Sequence, residues 1–210
     1  MTPAKIHHFV ENHAGALIGG VLFVAIWGGL AQILPVMLDT PEKNWQPQPY
    51  TSVQLAGREI YLRESCGLCH TQQVRPLVAE VRRYGPHSQA IEFIFDRPFL
   101  WGSKRTGPDL HRLAGKYSDE WHRVHLIDPR QVVPGSIMPS YPWLAEQTVD
   151  VNSVQRLMLA LRTVGIEYSD DQIAAASSEL AGMSEIDALI AYLQSLGSNL
   201  PPPAEAAHHH

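Results

Sequence analysis

The residues best suited to chemistry in this chain are Cys66, Cys69 and His70, which form the pattern Cys-x-x-Cys-His. This spacing is the attachment signature of a c-type haem. Two thiols at this separation can each add to one vinyl group of the porphyrin, and the adjacent imidazole can then bind the iron. Because the chain has only 2 cysteines, the sequence predicts one covalently bound haem c with His70 as an axial ligand.

Paired cysteines at this spacing also occur in thioredoxin-like redox sites, in zinc sites and in disulfides. A zinc site would need a second ligand pair at similar spacing, and a redox pair usually lies in a βαβ pattern. The sequence contains neither feature. We therefore favour haem attachment over these three alternatives.

Residues 14–38 contain no Asp, Glu, Lys or Arg. As a helix this stretch would be roughly 37 Å long, compared with about 30 Å for the hydrocarbon core of a bilayer. The apolar core of a cleaved signal peptide is shorter and is followed by a small-x-small cleavage site. Residues 1–38 are therefore predicted to be an N-terminus and a retained transmembrane anchor. Its Gly15-x-x-x-Gly19 pattern suits close helix packing, although a glycine-rich lipid-facing helix would carry the same pattern.

The remainder is predicted to comprise a Pro-rich linker over residues 39–50, a domain over 51–200 and a disordered tail over 201–210. The three terminal histidines are typical of a purification-tag remnant. In c-type cytochromes the haem is attached after export, so we expect the N-terminus in the cytoplasm and residues 39–210 in the periplasm of a bacterium. The net charge of -5 argues against a nucleic-acid partner, since phosphate backbones bind basic surfaces.

The expected fold is mainly α, with a class I cytochrome c domain after the anchor. A helix is predicted from Ser52 to Cys69. In class I cytochromes c an N-terminal helix with a glycine and an aromatic crosses a C-terminal helix, and Gly57, Tyr61 and Tyr192 resemble that arrangement. Ordinary helix packing would use the same residues. Near the C-terminus, the two segments 169–172 and 184–187 resemble capping boxes.

A long insertion separates His70 from Gly107, where a minimal class I cytochrome c has a much shorter connection. It mixes aromatic and basic residues: Tyr84, Phe93, Phe95, Phe99 and Trp101, with Arg75, Arg82, Arg83, Arg97, Lys104 and Arg105. This mixture suits a protein interface. Alternatively, some arginines pair with haem propionates, or the aromatics complete the domain core.

After the insertion, Gly107-Pro108-Asp109-Leu110 resembles the Gly-Pro-x-Leu segment of class I cytochromes c. In those proteins the proline carbonyl accepts the Nδ1–H of the proximal histidine. Such a bond fixes the imidazole and raises its basicity. The resemblance implies that Pro108 orients His70.

The second axial ligand is predicted to be Met138, which lies in a loop between Pro134 and Pro139. A thioether in a loop restrained by prolines can be held over the iron, and its Met-Pro sequence resembles bacterial cytochromes c. Other residues able to bind iron are Met158, Met183, His87, His111, His122 and His125. Met158 lies at helical spacing with apolar neighbours and is expected in the core. A histidine ligand would give a lower reduction potential than methionine.

Three motifs together resemble one family. They are C-G-L-C-H-T-Q-Q, Y-S-D-E-W-H-R-V-H-L-I-D-P-R and V-P-G-S-I-M-P-S-Y-P-W-L. With the N-terminal anchor, they resemble the monohaem cytochrome c subunit of bacterial cbb3-type haem–copper oxidases over residues 1–200. The resemblance implies electron transfer from soluble cytochrome c donors and a dihaem cytochrome c subunit toward the haem b and haem–copper centre of a large catalytic subunit. It also implies a single-pass protein of the inner membrane that has no oxygen site of its own.

Two related functions remain open from the sequence. One is the cytochrome c subunit of a nitric oxide reductase, which the long insertion and the third motif disfavour. The other is a free-standing membrane-tethered shuttle, which would not need the insertion. A gas sensor or peroxidatic haem would require an open axial position, and that requirement conflicts with ligation by Met138.

Overall fold

The computed structural model describes residues 2–38 and 47–198. The chain divides into two compact units, with the boundary between Trp45 and Gln46. All regular secondary structure in the described residues is helical, apart from one isolated bridge between Thr148 and Ser184. This confirms the predicted mainly α fold.

The first unit contains helices α1 (Pro3–Asn12) and α2 (Ala14–Leu38). Within α2, the segment Ala14–Leu34 has a mean hydropathy of 2.1 and is long and apolar enough to cross a membrane. A helix with the length and composition of the predicted N-terminal anchor is therefore present. A Cβ atom added at Gly15 or Gly19 would meet no other atom within 4 Å, so close packing on this face would require another helix.

The second unit begins with α3 (Ser52–Arg63) and ends with α9 (Glu185–Ser195). The intervening helices are α4 (Val78–Tyr84), α5 (Asp119–Ile127), α6 (Trp143–Glu146), α7 (Val151–Thr163) and α8 (Asp170–Glu179). Three short 3-10 turns span Cys66–Leu68, Ala90–Phe93 and Pro129–Gln131. Most of the predicted linker over 39–50 and all of the tail over 201–210 lie outside the described residues.

The prediction of one helix from Ser52 to Cys69 is wrong at its C-terminal end. Helix α3 starts with a capping box between Thr51 and Gln54 and ends at Arg63. Ser65 then adopts a left-handed conformation with φ 59°, which an α-helix cannot include. The two cysteines consequently lie on and just after a 3-10 turn rather than on the helix.

Helices α3 and α9 cross at Gly57, as the resemblance to class I cytochromes c implies. A Cβ atom at Gly57 would lie 2.0 Å from the carbonyl oxygen of Ala188 and 2.7 Å from Cβ of Tyr192. Only glycine permits this approach. The aromatic rings of Tyr61 and Tyr192 meet edge-on at 5.6 Å, and both side chains are buried. The crossing therefore fixes the helix that leads into the cysteine turn.

The C-terminal helices have the caps that the sequence indicates, with one difference. Ser169 and Gln172 form the predicted capping box of α8. Ser184 caps α9 by accepting from the backbone N–H of Asp187, but the Asp187 carboxylate accepts from the Ser184 hydroxyl rather than from its backbone N–H. The second box is therefore only half formed.

Replacing Gly57 by alanine tests the helix crossing. The added Cβ must separate α3 from α9, and overpacking of this kind costs about 1–3 kcal/mol. We expect Gly57→Ala to lower the midpoint of thermal unfolding of the full chain in detergent, followed by circular dichroism. Gly135→Ala is the control, because a Cβ at Gly135 meets no atom within 4 Å. Equal midpoints for the two variants would contradict the proposed close contact.

Candidate haem-attachment site

The two cysteines differ in their exposure to solvent. Cys66 is half-buried, Cys69 is exposed, and they are not joined in a disulfide. Burial, followed by the charge of Glu64, raises the pKa of the Cys66 thiol to about 12. Redox-active cysteines have lowered pKa values. The environment of Cys66 therefore disfavours a thioredoxin-like redox pair.

The imidazole of His70 is oriented by a hydrogen bond to the backbone. Its Nδ1 lies 2.8 Å from the carbonyl oxygen of Pro108. Because a carbonyl oxygen can only accept, Nδ1 carries the hydrogen. Burial lowers the pKa of His70, although Pro108 and the charge of Asp109 oppose this effect. The neutral ring consequently has its lone pair on Nε2, the atom that can bind a metal.

Gly107 provides the surface against which the His70 ring lies. A Cβ atom at Gly107 would be 2.3 Å from Cε1 and 2.8 Å from Nε2 of that ring. The backbone N–H of Gly107 also donates to the carbonyl of Cys69 at 2.9 Å. The missing side chain of Gly107 and its hydrogen bond to Cys69 thus allow the Gly-Pro segment to pack against the turn that carries the cysteines.

The loop that carries Met138 is held by a network around Arg130. The Arg130 guanidinium donates to the Met138 carbonyl at 3.3 Å and to the Ser140 hydroxyl at 2.5 Å. The Met138 N–H donates to the Ser136 hydroxyl at 3.2 Å. Met138 is half-buried and packs against the main core. Its backbone is therefore fixed in a loop without regular secondary structure.

Tyr141 ties this loop to the rest of the domain and lies near the cysteines. Its N–H donates to the Leu126 carbonyl at 2.8 Å, which ties the loop to α5. Burial raises the pKa of Tyr141, and the nearby Cys66 and Cys69 raise it further. The loop containing Met138 therefore returns to the neighbourhood of the attachment turn three residues after the methionine.

Four of the other residues able to bind iron already pack in the core or lie within hydrogen-bond distance of another side chain. Met158 is 1% exposed in the core, as the sequence predicts. Met183 packs against the core just before the α9 cap. His87 is exposed and lies 2.9 Å from a glutamine side chain. Nδ1 of the buried His111 lies 2.5 Å from the Ser88 hydroxyl.

His122 and His125 on α5 differ from those four because each has a buried ring nitrogen with no hydrogen-bond partner among the described residues. These atoms are Nε2 of His122 and Nδ1 of His125. Burial lowers the pKa of His125, and the neighbouring His70 lowers it further. Unpartnered polar atoms on α5, one of them in the residue whose pKa His70 lowers, fit a site that receives a group with polar substituents, as a haem has.

Residues 7–182 match the family described as "Cytochrome C oxidase, mono-heme subunit/FixO". The chain belongs to this family. The match spans the anchor helix, the attachment turn, Pro108 and Met138. Comparison with curated proteins gave no match. The FixO family implies a haem and association with other subunits of an oxidase.

The insertion of this FixO-family chain is organised by a buried carboxylate, Asp109. Its Oδ2 accepts from the Thr71 hydroxyl at 2.5 Å and from the Gln73 N–H at 2.9 Å. Arg105 donates to the same Thr71 hydroxyl at 2.7 Å and to Glu80 at 2.8 Å. We call these five residues the Asp109 cluster. It joins α4 in the insertion to the residues that follow His70.

Two arginines of the insertion already have a carboxylate partner. Arg105 and Arg75 both pair with Glu80, so their charges are already compensated. A second buried carboxylate of the insertion, Glu92, binds Arg112, which follows the insertion, through both of its oxygens. Sequence reasoning missed these carboxylates, and for Asp109 the available signal was its position directly after Pro108.

The aromatic residues of the insertion differ in their exposure to solvent. Phe93 is 4% exposed and completes the core, whereas Phe99 and Trp101 are 51% and 37% exposed. The rings of Phe99 and Trp101 stack at 4.7 Å. The Trp101 carbonyl accepts from the N–H of Gln72, so this exposed pair lies beside the segment that follows His70.

The charge of Glu80 is expected to make the free energy of unfolding of this FixO-family chain depend on pH. Hydrogen bonds from Arg105 and Arg75 lower the pKa of Glu80 to about 2. A depressed folded-state pKa contributes stability above the unfolded value of about 4.3, and this contribution is lost as the pH falls toward 2. We expect Glu80→Gln to lower the free energy of unfolding by about 2 kcal/mol at pH 7.

The difference between wild type and Glu80→Gln should shrink between pH 4.5 and 2, as measured by urea unfolding in detergent. Glu146→Gln on α6 is the matched control, because Glu146 is exposed. A Glu80→Gln effect that stays the same down to pH 2 would show that the charge of Glu80 does not stabilise the insertion.

Proposed function

We propose that this chain is the electron-transfer subunit of a cbb3-type terminal oxidase. In this proposal Cys66 and Cys69 hold one haem c through thioether bonds, and His70 and Met138 are its axial ligands. The observation that carries the proposal is the family match over residues 7–182, which includes all four residues. When bound, a haem iron supplies reversible one-electron oxidation and reduction.

The protein groups around the site suit a carrier that only passes electrons. Pro108 orients His70 and increases the basicity of its ring, and the missing side chain of Gly107 leaves room for the ring beside the backbone. With His70 and Met138 as ligands, no axial position is open to oxygen. We therefore assign oxygen reduction to a partner, the large haem–copper subunit with haem b.

The anchor helix α2 would hold the domain at the bilayer surface. Attachment of haem c follows export, so we place the N-terminus in the cytoplasm and the domain in the periplasm of a bacterial inner membrane. Tethering raises the effective concentration of the domain near its partners. Electrons would come from a dihaem cytochrome c subunit or from soluble cytochrome c donors.

The exposed pair of Phe99 and Trp101 is our candidate for contact with another oxidase subunit. Stacked, exposed aromatic side chains are enriched at the centres of protein interfaces. Arg97, whose guanidinium lies 5.9 Å from the centre of the Phe99 ring, adds a charged edge to this patch. The position of the patch beside Gln72 brings it close to the proposed haem attachment.

Co-purification tests the oxidase assignment. The full chain, isolated from membranes in mild detergent, is expected to bring haem b and copper with its own haem c. Haem b with non-haem iron and no copper would instead indicate a nitric oxide reductase, and haem c alone would indicate a tethered shuttle.

The double variant Phe99→Ala/Trp101→Ala should lower the yield of partner subunits, while Leu159→Ala, an exposed position on α7, should leave it unchanged.

Replacing Met138 tests the second axial ligand. Met138→Ala is expected to give a high-spin haem whose ferrous form binds carbon monoxide, because one iron position becomes open. Met138→His should restore a low-spin spectrum with a lower potential. His125→Ala is the control and should stay low-spin, because His125 is a competing histidine whose pKa the neighbouring His70 lowers. A low-spin, carbon monoxide-inert Met138→Ala protein would rule out Met138 as the ligand.

A further inference from the structure

The Asp109 carboxylate lies where two segments of the site meet. Its side chain is 0% exposed. Oδ2 accepts from Thr71 and Gln73, which follow His70 in the chain, and Oδ1 accepts from the N–H of His111 at 2.9 Å. A buried carboxylate with three short hydrogen bonds holds its surroundings strongly. Asp109 thus joins the segment after His70 to the segment that begins with Pro108.

The hydrogen bond between His70 and Pro108 depends on the separation of these same two segments. His70 precedes Thr71 directly, and Pro108 precedes Asp109 directly. A backbone bond from the Leu110 N–H to the Thr71 carbonyl, at 2.9 Å, spans the same gap. If the Asp109 side chain lost its bonds to Thr71 and Gln73, the two segments would move apart. The Nδ1–H of His70 would then lose its short hydrogen bond to the Pro108 carbonyl.

We propose that Asp109 is a positioning residue for His70, which sets both the basicity of the imidazole and the charge beside it. This inference rests on the proposed function, in that His70 is taken as the iron ligand. Asp109 acts on the iron only through His70 and through its charge, and it makes no contact with the ligand-binding atom Nε2.

Both effects of Asp109 act on the reduction potential in the same direction. A strong Nδ1–H bond to Pro108 makes the imidazole a better donor, which favours ferric iron. A negative charge near the ring also favours the more positive, oxidised state. Asp109 should therefore lower the potential. Arg105 reduces this effect only partly, because its nearest nitrogen lies 3.5 Å from Oδ2 and is also bonded to Glu80.

The test uses the full haem-loaded chain in detergent, with Asp109→Asn as the main variant. Asparagine keeps the shape but removes the charge and presents N–H groups to donors. We expect the reduction potential of the haem to rise. A tenfold change in the ratio of oxidised to reduced protein corresponds to a shift of about 59 mV. In the ferrous protein, the Nδ1 proton of His70 should exchange with solvent about five- to tenfold faster, as observed by NMR.

Asp96→Asn is the matched control. Asp96 is also buried and also carries charged and hydroxyl partners, namely Arg58 at 3.5 Å and Tyr50 at 2.9 Å, but it makes no side-chain bond to either segment around His70. This variant should be destabilised without faster exchange of the His70 proton. Equal exchange rates in wild type and Asp109→Asn would overturn the proposal, as would equally fast exchange in the two aspartate variants.

Thr71→Val provides a second variant in case Asp109→Asn fails to fold. It removes the hydroxyl that donates to Asp109 while leaving every charge in place, so the exchange of the His70 proton should accelerate in the same direction. An unchanged rate would contradict the positioning role. Failure of the haem assignment is distinguishable from these outcomes, because the wild-type chain would then carry no haem c. Failure of the oxidase assignment alone would appear in the co-purification and would leave the exchange of the His70 proton unaffected.

Discussion

The hydrogen bond from Nδ1–H of His70 to the carbonyl of Pro108 is the interaction on which the site depends. It selects the tautomer with a lone pair on Nε2 and fixes the direction in which that lone pair points. Gly107 makes the bond possible, because any side chain there would occupy the space of the ring. The remainder of the domain keeps these two segments, separated by a long insertion, in contact.

Two structural devices maintain that contact. On one side, α3 crosses α9 at Gly57, and this fixes the direction from which the chain enters the cysteine turn. On the other side, the Asp109 cluster ties the insertion to the residues after His70. The insertion therefore has two roles in our account: its buried carboxylates support the site, and its exposed pair of Phe99 and Trp101 faces solvent for a partner.

The short-range features were predictable from sequence because each has a local signal. The anchor helix follows from a charge-free stretch, the α8 cap from Ser169 and Gln172, and the crossing from Gly57. The end of α3 was not predictable, because a left-handed Ser65 has no local sequence signal. Asp109 was missed for a different reason, since its partner Thr71 is distant in sequence and only the folded insertion brings them together.

Mass spectrometry of the denatured full chain tests the central claim most directly, together with a spectrum that identifies the haem type. Our account predicts that the polypeptide retains the mass of one haem after denaturation, and that the double variant Cys66→Ser/Cys69→Ser loses it. An unmodified polypeptide mass, from membranes in which other c-type cytochromes carry their haem, would contradict the account.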